Sequence, residues 1–451
     1  MKKLCMMMML IFTISLAGLA MNAQAAENPT LTSGKAVEGT LTNQKEITYQ
    51  IKVTKPSYIQ LQGTAYSPML YMDLVDQKNN VIKQLHNEFS DSMEQTPANG
   101  KVSEYLEAGT YTIKIHRGEN ESTEAADYRL LVTVKASAVT EIEPNNGSKT
   151  AMTLPVNAKA IKGQMSFGDA TDFYKVELKE AGNLSIKVKG YLRDMVVNLY
   201  DQDLQRIFRL PQYYYGNILT GVTQSNNMFL EKGIYYVRIN NTRATGLYEI
   251  SAPFEPTKNN DIEPNNGTSQ AQLIRPNIDK ITGLLSWNDK QDFYKVNVTK
   301  KGNMEIAVTL SKEAYILVQD HEGKPVYENY IAIPNGAYDY TFKKKIPVGK
   351  GHYYVKIFIY DNSYGLYNLA VNVPEMLPNA PTAKATKTKV TGTTYANSKV
   401  TAKIGSKKYT GKSNSKGAFS IKIPTQKVKT KVYVSVTTGA GTSKTTKLQV
   451  K

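Results

Sequence analysis

The sequence predicts an all-β chain: three tandem jelly-roll-like β-sandwiches followed by a small C-terminal Ig-like β-sandwich. Three observations predict it. Apolar and polar residues alternate in short runs rich in β-branched and aromatic side chains, the mark of half-buried strands. A Gly-x-Tyr strand start occurs three times, as Leu106-Glu-Ala-Gly109-Thr-Tyr111, Leu230-Glu-Lys-Gly233-Ile-Tyr235 and Val348-Gly-Lys-Gly351-His-Tyr353. Two acidic signatures each return 120 residues downstream, which makes the chain a tandem repeat. Glu141-Ile-Glu143-Pro-Asn145-Asn146-Gly147 returns as Asp261-Ile-Glu263-Pro-Asn265-Asn266-Gly267, and Asp169-Ala-Thr-Asp172-Phe-Tyr as Asp289-Lys-Gln-Asp292-Phe-Tyr.

The elements follow in order. Residues 1–25 read as a secretory signal peptide: Lys2-Lys3 is basic, Met6 to Leu19 is apolar, and Ala23-Gln24-Ala25 offers a small-x-small cleavage site. The apolar run is shorter than the about 20 residues of a membrane span, and no other run is longer. A secreted, extracellular or cell-surface protein is expected. The single cysteine, Cys5, lies in this leader, so no disulfide framework is expected. Residues 27–137, 141–253 and 261–373 form three related segments. Each carries the Gly-x-Tyr strand and then a closing strand, near Tyr128, Tyr248 and Tyr367. Thr257 to Asn260 and Pro374 to Pro381 are polar or Pro-rich linkers. Residues 380–451 alternate as well and read as the small fourth sandwich.

Charge divides the chain unevenly. The net charge is +17, and the stretch from Leu377 to Lys451 holds sixteen Lys with no Arg, Asp or Glu. That tail carries +16 and leaves +1 for the rest, so an electrostatic partner should meet the tail. Its Lys427, Lys429 and Lys431 form a Lys-x-Lys-x-Lys stripe suited to an anionic cell-wall or extracellular polymer. Nucleic acid would be held only non-specifically by the same charge.

The acidic signatures carry the clearest chemistry. Pro-Asn-Asn-Gly is good turn chemistry by itself. Two clusters of hard oxygen donors recurring together are also what a calcium site needs, because Ca2+ takes six to eight oxygens from separate segments. A cation would further relieve the repulsion among grouped carboxylates. The first segment has only Glu46 at the matching strand and is expected to hold no calcium.

On Glu-x-Glu-Pro-Asn-Asn, Asp-x-x-Asp-Phe-Tyr-Lys-Val and Gly-x-Tyr-Tyr-Val, the three segments resemble the bacterial pre-peptidase C-terminal domain family. That family includes the collagen-binding domains of clostridial collagenases. The resemblance implies β-sandwiches appended to secreted proteins, with calcium ligands at matching positions. These are Glu141, Glu143, Asn145, Asn146, Asp169 and Asp172 in the second segment, and Asp261, Glu263, Asn265, Asn266, Asp289 and Asp292 in the third. Residues 380–451 resemble a bacterial Ig-like domain.

Catalytic motifs are absent from the sequence: no His-Glu-x-x-His and no Gly-x-Ser-x-Gly occurs, and His86, His116, His321 and His352 are scattered. A non-enzymatic protein is expected. Tyrosines at repeat-equivalent positions, such as Tyr174, Tyr235, Tyr294 and Tyr353, read as core. Tyr213, Tyr214 and Tyr215, with Tyr327, Tyr330, Tyr338 and Tyr340, are candidates to contact a protein or glycan. The expected function is calcium-supported adhesion to extracellular polymers such as a collagen-like protein, glycan or cell wall. The alternative is an accessory or targeting scaffold for a secreted protease.

Overall fold

The computed structural model describes residues 28–451 apart from 43–44, 66–69, 87–97, 118–124, 211–220, 242, 335–338, 374–377 and 439–440. The leader and Tyr213, Tyr214, Tyr215 and Tyr338 lie outside the described residues.

Three sets of eight strands repeat one topology. In the first set, Ala36–Leu41, Ala126–Ala136, Ser57–Ala65 and Ala98–Leu106 make one sheet in that order. Glu46–Val53, Gly109–Arg117, Leu70–Val75 and Val81–His86 make the facing sheet. The order is first-eighth-third-sixth against second-seventh-fourth-fifth, the nested antiparallel pairing of a jelly roll. The sets spanning Ile161–Ser251 and Lys280–Asn372 repeat it strand for strand. These two sets also gain a short parallel edge strand, Met152–Thr153 and Gln272–Ile274, that pairs beside the second strand.

The two-residue period explains the layering. Alternate residues of Gly182–Gly190 and Gly302–Leu310 are buried, and their apolar members fill the space between the facing sheets. Separate apolar clusters result, centred on Leu61 and Ile113, on Ile186 and Val237, and on Ile306 and Val355. The tail packs a fourth, smaller one around Val390, Val400 and Val434, between a three-stranded and a five-stranded sheet.

Each jelly roll contains the same buried tyrosine arrangement. Tyr128, Tyr248 and Tyr367 sit opposite Gly39, Gly163 and Gly283 in strand register. A Cβ on Gly163 would stand 2.2 Å from Tyr248 Cζ, so only glycine lets the ring lie across the neighbouring strand. The hydroxyls then meet a second tyrosine: Tyr49 with Tyr128 at 2.8 Å, Tyr174 with Tyr248 at 2.6 Å, and Tyr294 with Tyr367 at 2.5 Å.

Consecutive jelly rolls meet through matching contacts. Phe167 N donates to Tyr105 O at 3.0 Å, and Trp287 N donates to Phe229 O at 3.1 Å. In both cases the turn after the first strand of one set docks on the sixth strand of the set before it.

Candidate metal centre and outer faces

The opening segment of the second jelly roll is tied down by backbone and side chain. Thr140 N and Glu141 N donate to Lys162 O at 2.8 and 3.1 Å, and Phe173 N donates to Asn145 O at 2.8 Å. The third copy matches, with Asn260 N and Asp261 N on Thr282 O and Phe293 N on Asn265 O at 2.8 Å. The Glu143–Pro144 and Glu263–Pro264 peptides are both cis. Asn145 N and Asn265 N cap their own glutamates, donating to Glu143 Oε2 and Glu263 Oε2 at 2.8 and 2.9 Å.

This folding-back brings the two acidic signatures together. Carboxylate oxygens of Glu141, Glu143 and Asp172 lie within 4.8 Å of one another, as do those of Asp261, Glu263 and Asp292. Asn146 Nδ2 donates to Asp169 Oδ1 at 2.7 Å. With its amide turned so that nitrogen faces the carboxylate, Asn266 donates likewise to Asp289 Oδ1. Three carboxylates singled out in each copy thus come together, and the two Asn–Asp pairs match between copies.

The electrostatics of these clusters are unfavourable without a cation. Burial, then the neighbouring Glu141 charge, pushes the Asp172 carboxyl up to about 9. Burial first and then Glu143 raise Asp169 to about 7, and burial raises Glu141 to about 7. In the third copy Asp289 rises to about 8 through burial and the Glu263 charge, and burial lifts Asp292 well above the carboxylate range. Only tyrosine offers relief at the deep end: Tyr248 and Tyr367 hydroxyls stand 2.5 Å from Asp172 Oδ2 and Asp292 Oδ2.

The donor set fits a hard cation. Asn145, Asp172, Asn265 and Asp292 are fully buried, yet Asp172 Oδ1, Asp292 Oδ1 and both amide atoms of Asn145 and Asn265 have no hydrogen-bond partner. Asp169 Oδ2, Asp289 Oδ2 and Glu143 Oε1 are equally unpartnered. Buried polar atoms are almost always paired, so this concentration of orphaned oxygens calls for a ligand. Carboxylate and amide oxygens without nitrogen or sulfur select Ca2+- or Mg2+-like ions.

The first jelly roll keeps the tyrosine pair and loses the acids. Counted from the glycines that pair with Val53 and Leu178, Ile47 stands where Asp172 stands. Glu46 instead faces Lys114 at 3.8 Å.

Two surface features accompany these centres. On the third jelly roll, Tyr315 is ringed by Tyr330, Phe358 and Tyr360, with ring centroids 4.9, 5.3 and 5.0 Å away. Lys356 Nζ lies 4.0 Å from the Phe358 centroid, and Tyr360 is 73% exposed. Tyr330 was among the candidates read from sequence; Tyr315, Phe358 and Tyr360 were not, because their convergence depends on strand register. In the tail, Lys384, Lys429, Lys431, Lys447 and Lys451 line a groove of about 970 Å3. Lys427 is exposed beside it, in a turn where Thr430 N donates to Lys427 O at 3.1 Å and Lys429 has φ 69°. The stripe is therefore a turn leading into a strand, with Lys384 and Lys447 supplied by other strands.

Among the described residues, no helix is long and apolar enough to cross a membrane. No protein-family model matches the chain. Among curated proteins, the chain is 24% identical over 310 residues to Collagenase ColA of Clostridium perfringens, spanning 65% of this chain and 27% of that collagenase. Among solved structures, it is similar to a pre-peptidase C-terminal domain of collagenase from Bacillus anthracis: 24% identical, covering 25% of this chain and 99% of that one, TM-score 0.21. A Ca2+-stabilized adhesin with which an Antarctic bacterium binds ice is 8% identical, covering 93% of this chain and 99% of that one, TM-score 0.19.

Proposed function

We propose that the chain is a secreted, non-enzymatic, calcium-binding surface or matrix protein that adheres to extracellular polymers. The observation that carries this reading is the duplicated cluster in which fully buried Asp172 and Asn145, like Asp292 and Asn265, keep orphaned oxygens beside two further carboxylates. Calcium suits it better than magnesium, because Ca2+ accepts more oxygens in looser geometry. In this reading Glu141, Glu143, Asn145, Asn146, Asp169 and Asp172, with their six counterparts, hold the ion and lock each opening segment to its sandwich. The aromatic face around Tyr315 and the lysine groove of the Ig-like tail are then the contact surfaces. An aromatic face presents rigid area with polar tips to a protein or glycan, and the groove attracts polyanions. Weak contacts carried on one chain gain strength through effective concentration.

Calcium titration into the chelator-treated protein by calorimetry, with melting scans, tests the ion. Two sites and a raised melting temperature are expected; absence of heat and of any shift overturns the reading. Retention of the calcium-loaded protein on collagen, glycan or cell-wall columns tests adhesion. The similarity to a collagenase over 27% of that protein's length favours a second reading, a targeting scaffold for a secreted protease. Copurification with a protease, together with no retention on any polymer, would favour it.

A further inference from the structure

The acidic centres lie at the contacts between consecutive jelly rolls, and this placement adds a residue that neither acidic signature contains. The turn that bears Asp169 is closed by two hydrogen bonds, Ser166 N to Asp169 O and Asp169 N to Ser166 O, both 3.1 Å. Its first residue points across the junction, where Ser166 Oγ donates to Glu107 Oε1. Gln164 Nε2 donates to Leu106 O at 3.2 Å alongside. The second junction is built the same way. Ser286 and Asp289 close the same turn, Trp287 N binds Phe229 O, and Glu231 N donates to Asn288 Oδ1 at 3.2 Å. Ser286 Oγ donates to the same Asn288 Oδ1 at 3.2 Å.

Each junction therefore places a glutamate of the preceding jelly roll beside the next acidic centre. The same turns carry orphaned oxygens, Asp169 Oδ2 on a residue 6% exposed and Asp289 Oδ2 on a residue 4% exposed. Among the described residues, no ion pair reaches Glu107 or Glu231.

Sequence supplies an independent check. The three Gly-x-Tyr strands are preceded by Leu106-Glu107, Leu230-Glu231 and Val348-Gly349. The glutamate is present in the two copies followed by an acidic signature and replaced by glycine in the copy followed by the lysine-rich tail. A core or folding role for this residue would not track what comes next in the chain.

We infer that Glu107 and Glu231 are ligands in trans: each preceding jelly roll donates a carboxylate to the cation held by the next, so that one ion fastens two sandwiches. The inference rests on the calcium reading above and extends it from a site within one jelly roll to a clasp between two. Its consequence is that calcium sets the stiffness of the string as well as the stability of its parts.

The test uses the full chain, stripped with chelator and titrated with calcium chloride, as wild type, Glu107→Gln, Glu231→Gln and the double variant. Glutamine keeps an accepting oxygen and removes only the charge. Each single variant is expected to weaken one of two sites by roughly tenfold or more, leaving the other as in wild type. Small-angle scattering should show calcium narrowing the spread of sizes in wild type and not in the double variant. Wild-type titrations and scattering in the double variant would overturn the clasp while leaving the calcium reading standing. A wild-type chain that takes up no calcium would sink both.

Discussion

Tyr248 lies across Gly163 on the adjoining strand, where a single added carbon would stand 2.2 Å from its ring. That clearance lets its hydroxyl reach Asp172 Oδ2 at 2.5 Å. Gly163→Ala should therefore push the ring away and cost about 1–3 kcal/mol, as overpacked cores do. Calcium affinity should fall with it. Thermal unfolding identical to wild type would show that the ring relaxes elsewhere without penalty.

Asp172→Asn should change sign with the ion. Without calcium the Asp172 carboxyl, pushed up to about 9, must take up a proton on folding at neutral pH, a cost the variant does not bear, so the variant should melt above wild type. With calcium its second jelly roll should gain nothing, while each intact site gains about 2.7 kcal/mol at a hundredfold excess over Kd. Paired melting scans with chelator and with calcium chloride settle the point; a variant less stable than wild type under chelation contradicts it.

The metal-free protein should lose stability as pH rises. Glu141 and Asp169 are raised to about 7 and Asp289 to about 8 by burial, above the ordinary carboxylate range near 4. Between those limits the folded state holds more protons than the unfolded one, so stability is highest below about pH 4 for these groups and falls through about pH 7–8. Under chelation, melting at pH 5 should exceed melting at pH 8, and saturating calcium should flatten the difference. A metal-free protein that melts higher at pH 8 would refute it.

Reversing charge in the tail should weaken contact with polyanions. Lys429→Glu with Lys431→Glu, both in the groove, should elute from an anionic polymer column at clearly lower salt than wild type. The melting profile should not move, since both side chains are exposed. Unchanged elution would place polyanion binding elsewhere.

Much of this arrangement is legible before folding. The alternation that buries Ile186 and Val188 marks strands, and the recurrence of Asp172-Phe-Tyr marks equivalent copies. Both are properties of neighbours in the chain. Glu107 and Glu231 stand in a quoted pattern, yet their place beside Asp169 and Asp289 depends on how two sandwiches dock, which no local period encodes. The same holds for the cluster around Tyr315, assembled from three strands and the stretch after one of them. Lys427 illustrates the opposite case: a regular spacing read as one charged stripe folds as a turn leading into a strand.

The strand Gln291–Val298 turns Asp292 inward to the acidic cluster and Phe293 to the opposite face, as Thr171–Leu178 does with Asp172 and Phe173. The inward halves of the two copies match; the outward halves have diverged. Val196 faces Asn240 and Asn198 faces Arg238 in one copy, where Tyr315 faces Phe358 and Leu317 faces Lys356 in the other. The duplication has thus kept one chassis and given it two unlike exteriors. Under the adhesive reading proposed above, what the array offers a polymer is a composite footprint, polar beside aromatic, whose order is fixed by the chain and which a dimer of either half would not reproduce.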